Sequence, residues 1–129
     1  MSVNYAKGDS MKTILMSVLA AAALQAQAQS APIRCTALKR VVETNGSATE
    51  TRVPLATVLD IGGNLVMEAE IGAYSFSLSR SEEDTGYLTG ISRGPEYTTG
   101  INSKGQFVQG RLQLSWVERE TLHKLECHR

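Results

Sequence analysis

Tyr74-Ser75-Phe76-Ser77-Leu78-Ser79 sets apolar and hydroxyl-bearing residues at strictly alternate positions. Successive side chains of an extended chain point to opposite faces, so this stretch has one oily side and one wet side. That is the pattern of a half-buried β-strand. The same period of two continues on both sides of it. Leu65, Met67, Ala69 and Ile71 alternate with Val66, Glu68 and Glu70, and Val108, Leu112, Leu114 and Trp116 alternate with Gln109, Arg111, Gln113 and Ser115. One buried and one solvated face suits antiparallel sheets, because the strands of parallel α/β sheets are covered on both faces.

Turn chemistry separates the runs. Asn45-Gly46 predicts a tight hairpin, since both central residues of a type I′ turn need positive φ. Gly62-Gly63-Asn64 divides a run at 51–61 from one at 65–71, and Gly72 is a hairpin hinge. Residues 81–86 (SEEDTG) and Arg93-Gly94-Pro95-Glu96 read as polar turns, and Ser103-Lys104-Gly105 as a turn before the run 106–117. About eight strands result: 33–43, 49–61, 65–71, 73–80, 86–92, 97–102, 106–118 and 121–127. Pro54 cannot donate to a ladder, so it belongs at a bulge or an edge. Leu55 to Ile61 fits either a continuing strand or a short helix. The fold expected is all-β, a small antiparallel β-barrel or sandwich.

The N-terminal region reads differently. Lys12 precedes the uncharged run Thr13 to Leu24, and Ala26-Gln27-Ala28 has the small-x-small pattern of a cleavage site. Together these predict a signal-peptide helix over 1–28, cut after Ala28, with a single β-domain at 29–129. The apolar run is shorter than the ~20 residues that span a bilayer. Met11-Lys12 looks like a natural beginning, which makes residues 1–10 either a mis-called start or a leader. The expected location is periplasmic or secreted, with no membrane span after processing.

Cys35 and Cys127 are the only cysteines. In an exported chain an even count near the two ends of the domain predicts one disulfide; two free thiols or an intermolecular bridge are the alternatives. The bridge would contribute roughly 4–5 kcal/mol by restricting the unfolded chain, against a total of about 5–15 kcal/mol for a folded domain. It also requires the first and last strands to be neighbours, because bridged Cα atoms lie within about 7 Å.

Removing residues 1–28 takes away Lys7, Lys12 and Asp9, leaving 11 basic and 12 acidic side chains spread along the chain. No basic patch marks a nucleic-acid surface. His123, Cys127 and His128 lack the second ligand pair that a structural zinc site uses, and Glu82-Glu83-Asp84 are consecutive where calcium loops space their ligands around a glycine. Glu68 with Glu70, and Glu118 with Glu120, share strand faces without any sign of a cleft. No G-x-S-x-G elbow is present. Glycines 86, 90, 94, 100, 105 and 110 fall among β-runs, where turns and bulges account for them. The sequence therefore predicts no enzyme, no metal and no cofactor. Trp116 and Tyr87 are assigned to the core. An outer-membrane barrel is disfavoured by runs shorter than the spanning length.

Gly90-Ile91-Ser92, followed by Gly94-Pro95-Glu96-Tyr97-Thr98-Thr99-Gly100 and Ser103-Lys104-Gly105, resembles the recognition loop of the C-type lysozyme inhibitor family. The resemblance covers residues 90–105 and rests on the spacing G-x-x-Y-x-x-G. It implies an exported eight-stranded barrel that blocks its enzyme from this loop. Arg93 stands where that family has a serine, with Ser92 one place earlier, and the tryptophan expected near the Ser-Lys-Gly turn is missing.

The function expected is a non-catalytic binding module for a protein or cell-envelope ligand, with loops 81–86 and 93–105 as its contact surface. Ser92, Arg93, Tyr97 and Lys104 are the candidate contacts. A lysozyme-inhibitor-like protein acting through 92–105 and a small-ligand-binding barrel are the alternatives.

Overall fold

A computed structural model describes residues 32–129; the signal-peptide expectation lies outside them. The described residues form nine strands and no helix: β1 (Arg34–Val42), β2 (Ala48–Pro54), β3 (Ala56–Ile61), β4 (Asn64–Ile71), β5 (Tyr74–Arg80), β6 (Tyr87–Arg93), β7 (Thr99–Gly105), β8 (Arg111–Glu118) and β9 (Thr121–His128). They make two antiparallel sheets, ordered β2-β1-β9-β8 and β3-β4-β5-β6-β7. Each strand pairs with its sequence neighbour except at two breaks, β2/β3 and β7/β8, while β1 returns to β9. The result is a β-sandwich, a meander whose ends meet but whose ring is opened twice.

The two cysteines close that meeting of ends. Cys35 lies directly opposite Cys127 in the β1–β9 ladder, and they form a disulfide with Cα atoms 4.0 Å apart. Both are buried. Such a bridge suits an oxidising compartment outside the cytoplasm. No helix among the described residues is long and apolar enough to cross a membrane.

The alternating faces pack as the period of two requires. Phe76 and Leu78 from β5, Ile91 from β6 and Leu125 from β9 are fully buried between the sheets, with Met67 and Ala37 beside them. Tyr87 is buried there too, and Leu112, Leu114 and Trp116 pack against this core. Each fully buried large side chain contributes about 1.5–3 kcal/mol.

Four local readings change. The run expected at 49–61 breaks at Leu55 into two strands that belong to different sheets. The Leu55 side chain is buried and its N–H donates to the Cys35 carbonyl at 2.9 Å, so a single residue carries the chain around the corner. Residues 56–61 are strand, not helix. Pro54 ends the edge strand β2, where no ladder donor is missed.

Asn45-Gly46 does not make a type I′ turn. Only Gly46 has positive φ; its N–H donates to the Glu43 carbonyl at 2.9 Å, and the Glu43 N–H donates to Ser47 at 2.7 Å. This is a three-residue hairpin loop closed by a glycine bulge. The Asn45 side chain is occupied otherwise, accepting from the Ser47 N–H.

Ser103-Lys104-Gly105 is the end of β7, not a turn. The turn lies further on, at Gln109-Gly110, both with positive φ, between Val108 and Arg111, which exchange backbone hydrogen bonds. The strand expected at 106–118 therefore begins only at Arg111, and Val108 is exposed.

Candidate functional site

Residues facing each other across antiparallel strands share a face. Ser77 lies opposite Gly90 and Gly90 opposite Asn102; Ser75 lies opposite Ser92 and Ser92 opposite Gly100. These six therefore pave the outer face of β5–β6–β7, the wet side read from the serines at 75, 77 and 79. Phe76 and Ile91, one residue away, point into the core.

Two glycines sink the floor of this face. A Cβ on Gly90 would stand 3.3 Å from Ser77 Oγ, and one on Gly100 would meet the Ile91 carbonyl oxygen at 2.4 Å and Ser92 Cα at 2.8 Å. Only glycine fits at Gly100, because β6 and β7 approach there backbone to backbone. The loop between the two strands forms the rim. Gly94 N–H donates to the Ala73 carbonyl at 2.7 Å and ties the loop to the β4–β5 turn. Tyr97 takes a φ of 58°, a left-handed conformation that costs a residue with a Cβ about 1 kcal/mol. Its ring lies against Gly94, where a Cβ would come within 3.0 Å of Cζ. The outcome is an open cleft of about 370 Å³, lined by Ser77, Gly90, Ser92, Tyr97, Thr98 and Asn102 among others, with no charged side chain in its lining.

The four candidate contacts divide. Ser92 and Tyr97 meet in the cleft. Arg93 shares the inward face with Ile91, and its Nη1 donates to Glu118 Oε2 at 2.5 Å. Lys104 sits at the far end of β7 and pairs with Asp84 Oδ1 at 3.0 Å, latching the 81–86 turn. Arg93 alone leaves the outer face; Lys104 stays on it, two residues beyond Asn102 and opposite Leu88, outside the cleft lining.

Behind Arg93 lies a cluster the linear reading missed. Tyr74 Oη donates to Glu118 Oε1 at 2.7 Å. His123 is fully buried, stacks on the Tyr74 ring with centroids 3.9 Å apart, and has no hydrogen-bond partner at either ring nitrogen. Its Nε2 is 4.0 Å from Glu118 Oε1, too far for a hydrogen bond. Burial pushes the His123 pKa down; Lys39 and Arg93 add to this and Glu118 opposes it. The Tyr74 hydroxyl, with help from Arg93, holds the Glu118 carboxyl below its ordinary range, and the same bond raises Tyr74. The cluster braces the ends of β5, β6, β8 and β9. His123 is sealed from solvent, while Arg93 and Glu118 stay partly exposed.

The other polar candidates are scattered. Cys127 is in the disulfide, and His128 is exposed with Nε2 3.5 Å from Glu126. No group of three His, Cys, Asp or Glu side chains converges among the described residues. Comparison with protein-family models, curated proteins and solved structures finds no match.

Proposed function

We propose that this chain is an exported, non-catalytic binding module of the periplasm or the cell exterior, and that it holds a cell-envelope ligand in the cleft above β6 and β7. The observation that carries this reading is the cleft itself, floored by two glycines and walled by a tyrosine in a costly backbone conformation. Local strain of that kind persists only where surrounding packing enforces it, and it gathers at functional positions. A site built on paired strands is also pre-organised, so little ordering cost falls on binding. The disulfide between the terminal strands supports the compartment.

The alternatives have less support. A small-ligand barrel needs an internal cavity, and Phe76, Leu78, Ile91 and Leu125 occupy the space between the sheets. A lysozyme-inhibitor-like action would use Tyr97 and Lys104 first, and Lys104 lies outside the cleft that Tyr97 borders, paired with Asp84.

Gly90→Val fills the cleft from its floor and tests the reading. Cell-envelope material retained by the immobilised protein should be released when the variant replaces it, with the circular dichroism spectrum of the variant unchanged. Equal retention by a folded variant would remove the cleft from the function.

A further inference from the structure

We infer that the cleft takes an uncharged, hydroxyl-rich ligand, a segment of neutral oligosaccharide; this rests on the cleft being the binding site. Charge is the first argument. A phosphate, sulfate or carboxylate group is normally held by arginine or lysine. The cleft lining contains neither; Arg93 faces inward onto Glu118, and Lys104, on the outer face beyond Asn102, has its charge offset by Asp84. Carboxylates flank the opposite, β4 side. Glu68 lies opposite Ser77 and Glu70 opposite Ser75 on the same outer face, so an anionic ligand would be repelled along one whole side.

Hydrogen-bond chemistry is the second argument. Ser77, Ser92 and Thr98 carry hydroxyls that each donate once and accept twice, and the Asn102 amide offers two donors and an acceptor. Sugar hydroxyls have the same dual character, so each ring can exchange donor and acceptor roles with this lining. Glu68 and Glu70 add acceptors at the border. The Tyr97 side chain, about half exposed and supported from behind by Gly94, offers an aromatic surface to the C–H face of a sugar ring.

Shape is the third. The cleft opens on the face of the sheet over β6 and the edge strand β7, whereas a peptide that extends a ladder pairs with the backbone along the outer side of an edge strand. At about 370 Å³ it is near the lower end of ligand sites, ~300–1,000 Å³, and its open sides let a longer chain run past.

The test is amide-shift mapping by NMR on the labelled protein. Chitotetraose, cellotetraose, maltotetraose and mannotetraose serve as neutral probes, tetragalacturonate as an anionic one and a serine-rich octapeptide as a peptide. At least one neutral probe should shift the amides of Gly90, Ser92, Gly100 and Asn102, with affinity unchanged between about 0.05 and 0.5 M salt. Tyr97→Ala and Asn102→Ala, both exposed substitutions, should each weaken that binding about tenfold, equivalent to ~1.4 kcal/mol. Tighter binding of tetragalacturonate or of the peptide at the same amides would overturn the ligand class and leave the cleft standing. Silence from all four neutral probes at millimolar concentration would also overturn it, while the Gly90→Val retention assay judges the cleft independently.

Discussion

At one end of the sandwich Tyr74 stacks on buried His123 and donates its hydroxyl to Glu118, which also receives Arg93. At the other end Tyr87 packs edge-on against Phe107, with centroids 5.0 Å apart. There the Arg129 guanidinium lies 4.8 Å from the Phe107 centroid and donates to the Tyr87 hydroxyl at 3.0 Å, and Arg80 lies 5.4 Å from the Tyr87 centroid. Both ends are plugged by a tyrosine and arginine, yet they depend on different physics. The second end is held by cation–aromatic contact, worth about 0.5–2 kcal/mol each, and by the Cys35–Cys127 bridge close by. The first holds an ionisable imidazole whose neutral form is imposed by burial, beside a carboxylate that must stay charged. One end carries the buried disulfide and the other the buried imidazole.

Breaking the bridge should give the largest effect. With the two cysteines 92 positions apart in sequence, Cys35→Ser with Cys127→Ser should cost about 4–5 kcal/mol in urea unfolding, and amides near Arg129 should exchange faster than those near His123. A loss below ~1 kcal/mol would show that the core and the aromatic plug hold that end without it.

Backbone crowding at the histidine end comes next. Gly100→Ala puts a methyl group against the Ile91 carbonyl and should cost about 1–3 kcal/mol. A melting temperature equal to that of the unchanged protein would mean that β6 and β7 separate there at no cost.

As pH falls from neutrality, acid should act first through His123. Because the folded pKa of His123 is lowered, the unfolded chain binds the extra proton first as pH falls. Stability is then complete above the unfolded value of about 6.5 and declines below it, until the depressed folded pKa is reached. Glu118 acts lower down: its folded pKa is also lowered, so its contribution is present above the unfolded carboxylate value and is lost as pH falls through the folded one. His123→Leu removes two buried nitrogens that lack partners and should raise stability at pH 7 by about 1 kcal/mol. Its advantage should widen by pH 5.5, in urea unfolding at both pH values. An advantage that stays constant would mean His123 does not titrate in this window.

The smallest effect belongs to β3, which takes part in neither plug. Val58 and Ile61 are more than half exposed on an edge strand with no partner on its outer side. Val58→Lys with Ile61→Lys should change stability by less than about 0.5 kcal/mol, while lowering light scattering in concentrated solution, because lysines on a free edge oppose strand pairing between molecules.

Legibility differs from residue to residue. Tyr74 to Ser79 declares its faces because side-chain alternation is a property of one strand. Gly62-Gly63 and Gly72 declare turns because positive φ is a property of single residues. Leu55 gives no such signal: Pro54 before it marks an edge or bulge, but only the burial of Leu55 and its bond to the Cys35 carbonyl show that the chain changes sheet there. Gln109 hid its turn by lacking the usual asparagine or aspartate. Gly90 and Gly100 read as ordinary bulges, since the depression they make depends on β6 and β7 lying side by side in one register. His123 drew notice only beside Cys127, four strands further along the chain than the Tyr74 ring it stacks on.

What this sequence determines unaided is local: which runs are extended, which side of each is apolar, where the chain can reverse, and, through its two cysteines, that the outermost strands are neighbours. Register between strands and the packing of one sheet on the other are decided only in three dimensions. They bring Glu118, Arg93, Tyr74 and His123 together from β8, β6, β5 and β9, and set Ser92 and Tyr97 around a cleft without Arg93 or Lys104. The reason is that backbone geometry acts between neighbours in the chain, whereas a site is made by residues that sequence distance keeps apart and only the minimum of the whole packing energy can join.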